Sequence, residues 1–272
     1  MKRLIYILAV IFIWSCEDVI EVGVPSEEPR LIIDALVRVD TTQTVTNVSV
    51  KVMESSSFFD SLQPVELDQI TLAGQVLLQD VPGSGIYSKD ISTQTLMQED
   101  LFLAIDYNDQ IFVGLTDFAT AVPIDSLWQG PGGLIDNETE LTVRFTDNAE
   151  SDDYYLFDFD LQEFLTTRDQ FYQGQSFEFS YFYENELAAG TEVEVSLMGA
   201  TEEFYRYMEK IIEQSNTDLN LFDTPAITVK GNILNATDIQ TISDLSQANL
   251  DSNFPLGYFA VVQEYKRTIT IE

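Results

Sequence analysis

The single cysteine is the residue whose neighbours in the sequence indicate the most specific chemistry. Cys16 directly follows the small residue Ser15, and both come after the basic pair Lys2 and Arg3 and an unbroken apolar run, residues 4–13. That run is shorter than the roughly 20 residues that span a bilayer and has the length of a secretory h-region. We therefore predict signal-peptidase cleavage between Ser15 and Cys16 and a lipid on Cys16, which would attach the protein to a membrane. The alternative is an N-terminal anchor helix that is never cleaved.

Four carboxylates close together in the sequence are candidates for a cation site. Asp147, Glu150, Asp152 and Asp153 offer the oxygen ligands that Ca²⁺ prefers. Their spacing does not match the EF-hand loop, and no glycine stands where the sharp turn of that loop needs one. A solvated hairpin loop is the alternative. The sequence leaves open whether the acidic loop 147–153 binds calcium.

A second acidic pair lies in the predicted long strand 154–164. Asp158 and Asp160 are two residues apart, which places both carboxylates on one face of a strand. Paired carboxylates can act as the acid and the base or nucleophile of a glycosidase. A solvated strand face is the alternative, because acidic residues are abundant throughout the chain.

The residue types that are missing exclude several kinds of active site. The sequence has no histidine and one cysteine, so it cannot form zinc sites of the Cys/His type or a nucleophile activated by histidine. With its one cysteine predicted to carry lipid, the mature protein would contain no disulfide. We expect no catalytic residues, no metal site and no cofactor, and we predict that the protein is not an enzyme.

Aromatic residues supply two further candidates for recognition. Trp128 is followed closely by Gly130, Pro131 and Gly132, and it is a candidate binding residue on an exposed platform or, alternatively, a plug at a domain junction. The aromatic-rich run 154–183 is typical either of a face that stacks on sugars or peptides, or of a β-sandwich core.

The net charge of the chain limits the kinds of molecule that it can bind. The 272 residues carry a formal net charge of −33, which becomes −35 when Lys2 and Arg3 leave with residues 1–15. Such a surface repels phosphate backbones, so nucleic acid is excluded as a natural partner. It favours basic partners, although acidity that serves only solubility is an equal alternative.

Hydrophobic periodicity predicts a mainly β protein built from two β-sandwich (immunoglobulin-like) domains. Short runs of period-two alternation recur with turn residues between them, and one amphipathic helix is expected near 201–216, packed on the second domain. The predicted divisions are a lipoprotein signal peptide, an acidic tether, an N-terminal β-sandwich domain and a C-terminal β-rich domain, at residues 1–15, 16–29, 30–122 and 123–272.

Several segments, taken in order, resemble one family. They are PRLIIDALV, PIDSL, FSYFYENELAAGTEVEVSL, the helix, LFDTPAITVKGNI and PLGYF followed by KRTITI. Together with the lipidation motif and the acidic residues after Cys16, they resemble the domain-of-unknown-function 4249 family, the outer-membrane lipoproteins of Bacteroidota. The resemblance implies a largely β fold and an association with TonB-dependent transporters, and it carries over no catalytic residue.

The function expected from the residues and the resemblance is that of a surface-exposed outer-membrane lipoprotein. It would act as an accessory or substrate-binding partner of a TonB-dependent transporter. The alternatives are a carbohydrate-binding or carboxylate-dependent glycan-acting envelope protein, and a structural envelope protein without a ligand. A large pocket with converging carboxylates would favour the glycan-acting protein, and an exposed apolar patch would favour an interaction protein.

Overall fold

A computed structural model describes residues 29–55, 61–132, 138–183, 185–215, 228–239 and 254–272. Ser15, Cys16 and most of the predicted tether lie outside these residues. In the part of the chain that is described, no helix is both long enough and apolar enough to cross a membrane. The structure is mainly β, as the sequence predicted.

Within these residues, the elements follow one another as strands with two helices and one 3-10 turn, Asp169–Phe171. The helices are α1 (Thr93–Leu96) and α2 (Glu202–Ser215). The strands are β1 (Leu31–Val39), β2 (Val45–Glu54), β3 (Gln63–Pro64), β4 (Gln69–Leu72), β5 (Gln75–Val76), β6 (Leu78–Gln79), β7 (Ile86–Ser92), β8 (Leu101–Tyr107), β9 (Gln110–Thr116), β10 (Phe118–Ala119), β11 (Ile124–Gln129), β12 (Thr139–Thr146), β13 (Tyr154–Asp158), β14 (Phe164–Arg168), β15 (Ser176–Tyr183), β16 (Glu192–Ala200), β17 (Ile233–Asn235) and β18 (Leu256–Thr270).

Within the described residues these strands form three sheets. The largest has ten strands. Eight of them have the order β14-β13-β16-β18-β1-β2-β7-β6, and in addition β3 pairs with β2 and β10 pairs with β18. A five-stranded sheet has the order β17-β9-β8-β4-β5, and a three-stranded sheet has the order β11-β12-β15. The two smaller sheets cover different halves of the large sheet.

Strand β18 connects the two halves of the large sheet. Its first part runs parallel to β1, where Ile33 lies opposite Gly257, and its last part runs antiparallel to β16. It therefore lies in the predicted C-terminal domain while pairing with the first strand of the predicted N-terminal domain. The division near residue 123 stays a prediction.

Two sandwich cores result from this packing. The first lies between the five-stranded sheet and strands β1, β2 and β7, and its fully buried members include Ile33, Val50, Leu103, Ile105 and Phe259. The second lies between the three-stranded sheet and strands β13 and β16. It is built from aromatic rings and aliphatic side chains, among them Phe145, Tyr155, Phe157, Phe159, Tyr172, Val193, Val195 and Leu197. The predicted two-sandwich fold is confirmed.

Helix α2 packs on the large sheet as the amphipathic pattern indicates. The Thr201 hydroxyl caps the helix by accepting a hydrogen bond of 3.2 Å from the Phe204 amide, and Glu202 pairs with Arg206 one turn later. Phe204, Met208 and Ile212 face a third apolar cluster, formed with β13, β16 and β18. The apolar face of the helix therefore packs against the large sheet, as the sequence predicted.

The predicted long strand 154–164 is wrong. Strand β13 ends at Asp158 and β14 begins at Phe164, and the residues between them form a tight hairpin loop in which Asp160, Leu161 and Gln162 have positive φ. The Asp158 carboxylate accepts the Asp160 amide at 2.9 Å, which turns the chain. Such local side-chain bonds compete with strand extension.

Candidate functional site

Three aspartates meet where the ends of strands β12, β13 and β14 converge. Asp147 follows β12, Asp153 precedes β13, and Asp169 follows β14 at the start of the 3-10 turn. One carboxylate oxygen from each lies within 4.8 Å of the other two. Asp147 and Asp169 are buried, which is unusual for acidic side chains unless they have partners.

Hydrogen bonds hold all three carboxylates in place. Asp147 accepts the Tyr155 hydroxyl at 2.6 Å and the Gly174 amide at 2.8 Å. Asp169 accepts the Asp153 amide at 2.8 Å, and Asp153 accepts the Ser151 hydroxyl at 3.0 and 3.1 Å. The cluster therefore fixes the loop before β13 to the turn after β14.

Burial and the neighbouring charges change the proton affinity of Asp153. The pKa of Asp153 is raised, first by burial and then by the charges of Asp147 and Asp169, against the opposing Ser151 bond. The pKa of Tyr155 is raised by burial and by its hydrogen bond to Asp147, so the phenol stays protonated as a donor. Chemically, the three carboxylates can hold a hard cation, and Asp153 can bind a proton.

The sequence anticipated two of these three residues. Asp147 and Asp153 belong to the predicted acidic loop, whereas Glu150 and Asp152 are outside the cluster, and Asp169 was missed. Because β13 and β14 form an antiparallel hairpin, the residue after Arg168 must return to the residue before Tyr154. The hairpin register, once known, would have found Asp169. Whether the loop binds calcium stays open.

We expect Asp153→Asn to stabilise the protein at pH 7. A carboxyl whose pKa is raised in the folded state favours folding below its ordinary value of 3.8, and this contribution is lost as the pH rises through the folded-state pKa. Removing the charge should raise the melting temperature at pH 7 by about 1–3 °C, and the gain should disappear below pH 4. Thermal unfolding at several pH values measures this.

The matched control for this variant is Asp152→Asn. Asp152 is the exposed neighbour of Asp153, and its substitution by asparagine removes the same formal charge. It should change the melting temperature by less than about 1 °C at either pH. A lower melting temperature for Asp153→Asn at pH 7 would contradict the expectation and would show that the ionised form stabilises the fold.

The second acidic pair does not share a strand face. Asp158 ends β13 and its carboxylate lies 2.7 Å from a guanidinium nitrogen of Arg38, whereas Asp160 lies in the loop and accepts the Leu161 amide at 2.8 Å. Arg38 also reaches Glu264 at 3.2 Å. Asp158 thus takes part in an ion-pair network that links β1, β13 and β18, and Asp160 holds the hairpin loop.

Trp128 lies on the outer face of the three-stranded sheet. It pairs with Thr142, while its neighbour Leu127 faces the second core. Its half-buried ring lies 5.5 Å from the guanidinium carbon of Arg144, which pairs with Glu178 on β15. Because the position of the domain boundary is itself a prediction, both alternatives for Trp128, an exposed binding platform and a plug at a domain junction, stay predictions.

The inward aromatic residues of β15 belong to the second core. Phe177, Phe179, Tyr181 and Tyr183 alternate with outward residues and pack on that core. Phe159 stacks on Tyr181 with ring centroids 4.0 Å apart. Of the two interpretations of the aromatic run, the sandwich core is confirmed for these four residues. Phe182, on the opposite face, is exposed.

Comparison with known proteins identifies the family. A family profile described as domain of unknown function (DUF4249) matches residues 17–242. The chain belongs to the DUF4249 family. The match includes residues 17–29 of the predicted tether, Trp128 and the carboxylate cluster, and it ends before β18. The resemblance seen in the sequence is thereby confirmed.

Other comparisons add little about this DUF4249 protein. No curated protein matches its sequence. Among solved structures, the crystal structure of bovine butyrophilin aligns over 65% of this chain and 93% of its own at 9% identity, with a TM-score of 0.23. A similarity this low carries no argument about the fold.

A small cavity of this DUF4249 protein brings further carboxylates together. It is an open pocket of about 260 Å³, lined by residues that include Asp100, Asp117, Glu203 and Tyr258. Asp117 already accepts the Asp100 amide at 2.8 Å. The volume lies just below the roughly 300–1,000 Å³ of ligand pockets. No local sequence pattern predicts this grouping, because its members come from elements that are distant along the chain.

Proposed function

We propose that this DUF4249 protein is a surface-exposed outer-membrane lipoprotein that acts as an accessory or substrate-binding partner of a TonB-dependent transporter. The observation that carries the proposal is the placement of Cys16. It follows a basic and apolar leader ending in Ser15, and it precedes an acidic, proline-containing segment that ends at the first residues of the folded part. Cys16 would be lipidated, and residues 16–29 would act as the tether.

A lipid tether allows even a weak interface to hold a partner protein. Attachment to the same membrane raises the effective concentration of the folded part near a partner to roughly the millimolar range. The net charge of −35 after processing favours a partner with a basic or mixed surface, and it makes association dependent on ionic strength. An accessory subunit needs these properties and no catalytic centre.

A carbohydrate-binding or glycan-acting envelope protein is the second candidate. One observation favours it, which is that Trp128 lies on an outer sheet face where an aromatic ring can stack on a sugar. We place this candidate second because the Trp128 ring is half-buried and Arg144 lies beside it, so less of the ring is accessible to a sugar.

We expect gentle detergent extraction and pull-down of the tagged lipoprotein to recover a TonB-dependent transporter. Recovery should fall several-fold between about 50 mM and 500 mM salt, because screening weakens association between oppositely charged surfaces. Mass spectrometry of the eluate measures this. The matched control is the leader and tether, residues 1–29, fused to an unrelated acidic domain, which should recover no transporter.

Recovery of the lipoprotein alone at every salt concentration would contradict the proposal. The cells must then be shown to contain the transporter, so that its absence from the eluate reflects lack of binding. Equal recovery with the control fusion would assign the interaction to the anchor and tether, and this too would contradict a role for the folded part.

A further inference from the structure

On one side of the first sandwich, the chain crosses twice between the large sheet and the five-stranded sheet. Strand β3 pairs in the large sheet and β4 in the five-stranded sheet, whereas β5 pairs in the five-stranded sheet and β6 in the large sheet. Residues of both crossing segments, 65–68 and 76–78, line one pocket of about 410 Å³. This volume lies within the roughly 300–1,000 Å³ of ligand pockets.

The floor of this pocket is apolar and fixed by the fold. Ile70, Leu77 and Tyr87 line it, and all three are buried members of the first core. The Tyr87 hydroxyl donates to the Val65 carbonyl at 2.9 Å and accepts the Leu67 amide at 2.7 Å, which ties the first crossing segment to β7. The Leu77 amide donates to the Ile70 carbonyl at 3.0 Å, which ties the second segment to β4. A ligand would therefore meet a wall that is already ordered, and binding would cost little protein entropy.

Aliphatic side chains are also exposed at the pocket. Val76 and Leu78 line it and are 39% and 72% exposed. Both lie on the second crossing segment, next to the buried Leu77. An aliphatic ligand in the pocket would cover part of this surface and remove it from water, which favours binding.

Two carboxylates of the first crossing segment are available to a ligand. Glu66 and Asp68 line the pocket, and both are exposed. Among the described residues, Glu66 has no hydrogen bond or ion pair, and Asp68 accepts the Asn108 amide at 3.2 Å through Oδ2. The residues that line the pocket include no lysine or arginine. The pocket therefore carries negative charge that favours a cationic ligand and disfavours an anionic one.

We propose that this pocket binds a small molecule that carries a primary ammonium group on an aliphatic chain. The chain would lie against Ile70, Leu77 and Leu78, and the ammonium group would lie at Glu66 and Asp68. An ammonium group is compact and has three donors, so both carboxylates can accept a hydrogen bond from it. The inference goes beyond the proposed function, because it requires neither the lipid nor a transporter.

The test uses the full-length protein in detergent and n-hexylammonium as the probe, with binding measured by isothermal titration calorimetry at low ionic strength. We expect a Kd of roughly 0.1–1 mM, as for a ligand of few atoms. The neutral 1-hexanol keeps the chain without the charge and should bind at least about threefold more weakly. Methylammonium keeps the charge without the chain and should bind at least about tenfold more weakly, because each buried methylene contributes about fourfold.

Two pairs of variants at exposed positions separate this pocket from general charge attraction and from partition into detergent. Glu66→Gln should weaken n-hexylammonium binding about threefold and leave 1-hexanol unchanged, whereas Glu192→Gln removes an exposed charge of β16 and should change neither. Leu78→Ser should weaken both ligands about threefold or more. Its control is Leu161→Ser, at a 54% exposed side chain of the second sandwich, which should change neither.

A photoreactive analogue locates the bound molecule. An aliphatic amine that carries a diazirine on its chain should label residues 66–79 on irradiation, and excess n-hexylammonium should reduce this labelling at least about fivefold. Peptide mass spectrometry measures the label at each site. Glu192→Gln should be labelled like the wild type, and Glu66→Gln should be labelled less.

Four results would overturn the proposal. They are no binding of n-hexylammonium at 10-fold the highest expected Kd, equal binding of n-hexylammonium and 1-hexanol, equal weakening by the two glutamine substitutions, and labelling that lies outside residues 66–79. A failed transporter pull-down would leave these ligand measurements unaffected, so the two proposals fail independently.

Discussion

Gly257→Ala is expected to lower the free energy of unfolding by about 2–5 kcal/mol. Gly257 has a φ of +100° and lies opposite Ile33 where β18 begins to run parallel to β1. A Cβ at this position would lie 1.9 Å from the Ile33 carbonyl oxygen, which is backbone and cannot rotate away. The variant must therefore bear both an unfavourable backbone conformation and a displacement of the strand pair that joins the two halves of the large sheet.

A second glycine separates these two costs. Gly190 has a φ of +88°, but a Cβ there would meet nothing within 4 Å. Gly190→Ala should therefore cost only the conformational strain, about 1 kcal/mol. Urea unfolding followed by circular dichroism measures both variants. Equal destabilisation by the two would contradict the argument, because it would show that the approach of Ile33 to Gly257 adds nothing.

Elements whose features are local could be predicted from the sequence. The alternation in β2 places Thr46, Val48, Val50 and Val52 inside, as period two requires. Helix α2 begins after its Thr201 cap and lies within the predicted range 201–216. Both signals come from residues within one element. Tertiary packing then acts on an element that already prefers the observed conformation.

Features set by distant contacts could not be predicted. The alternation of residues 190–197 predicts an exposed edge or hairpin strand, yet β16 lies between β13 and β18 and is largely buried. The parallel pairing of β1 with β18 joins residues more than 200 positions apart, and no local pattern records it. Asp169 in the carboxylate cluster was missed for the same reason.

Cys16→Ala should release the protein from the membrane. Two or more acyl chains hold a protein stably at a bilayer, at about 0.8 kcal/mol for each buried methylene, whereas a protein without lipid or membrane helix has no such anchor. Detergent phase separation should therefore place nearly all wild-type protein in the detergent phase. The processed variant should appear as an aqueous species, and any unprocessed precursor, which keeps the apolar run in residues 1–15, is distinguished from it by mass.

Ser15→Ala is the matched control for the anchor. It changes the neighbouring residue but keeps it small, so processing and lipidation should continue and the protein should remain in the detergent phase. Intact mass distinguishes lipidated, processed and unprocessed forms of each variant.

The same measurement separates the lipid from an uncleaved anchor helix. If residues 4–13 were part of a helix that stays in the membrane, the wild type and Cys16→Ala would both keep the leader, and both would partition into detergent without a lipid mass. A correctly processed, unlipidated form that remained fully membrane-associated would also show that the lipid is not the anchor. Loss of detergent partitioning in Cys16→Ala but not in Ser15→Ala follows only if the sulfur of Cys16 carries the lipid. The folded part would then be held at the membrane through residues 16–29, which is the arrangement that the proposed function requires.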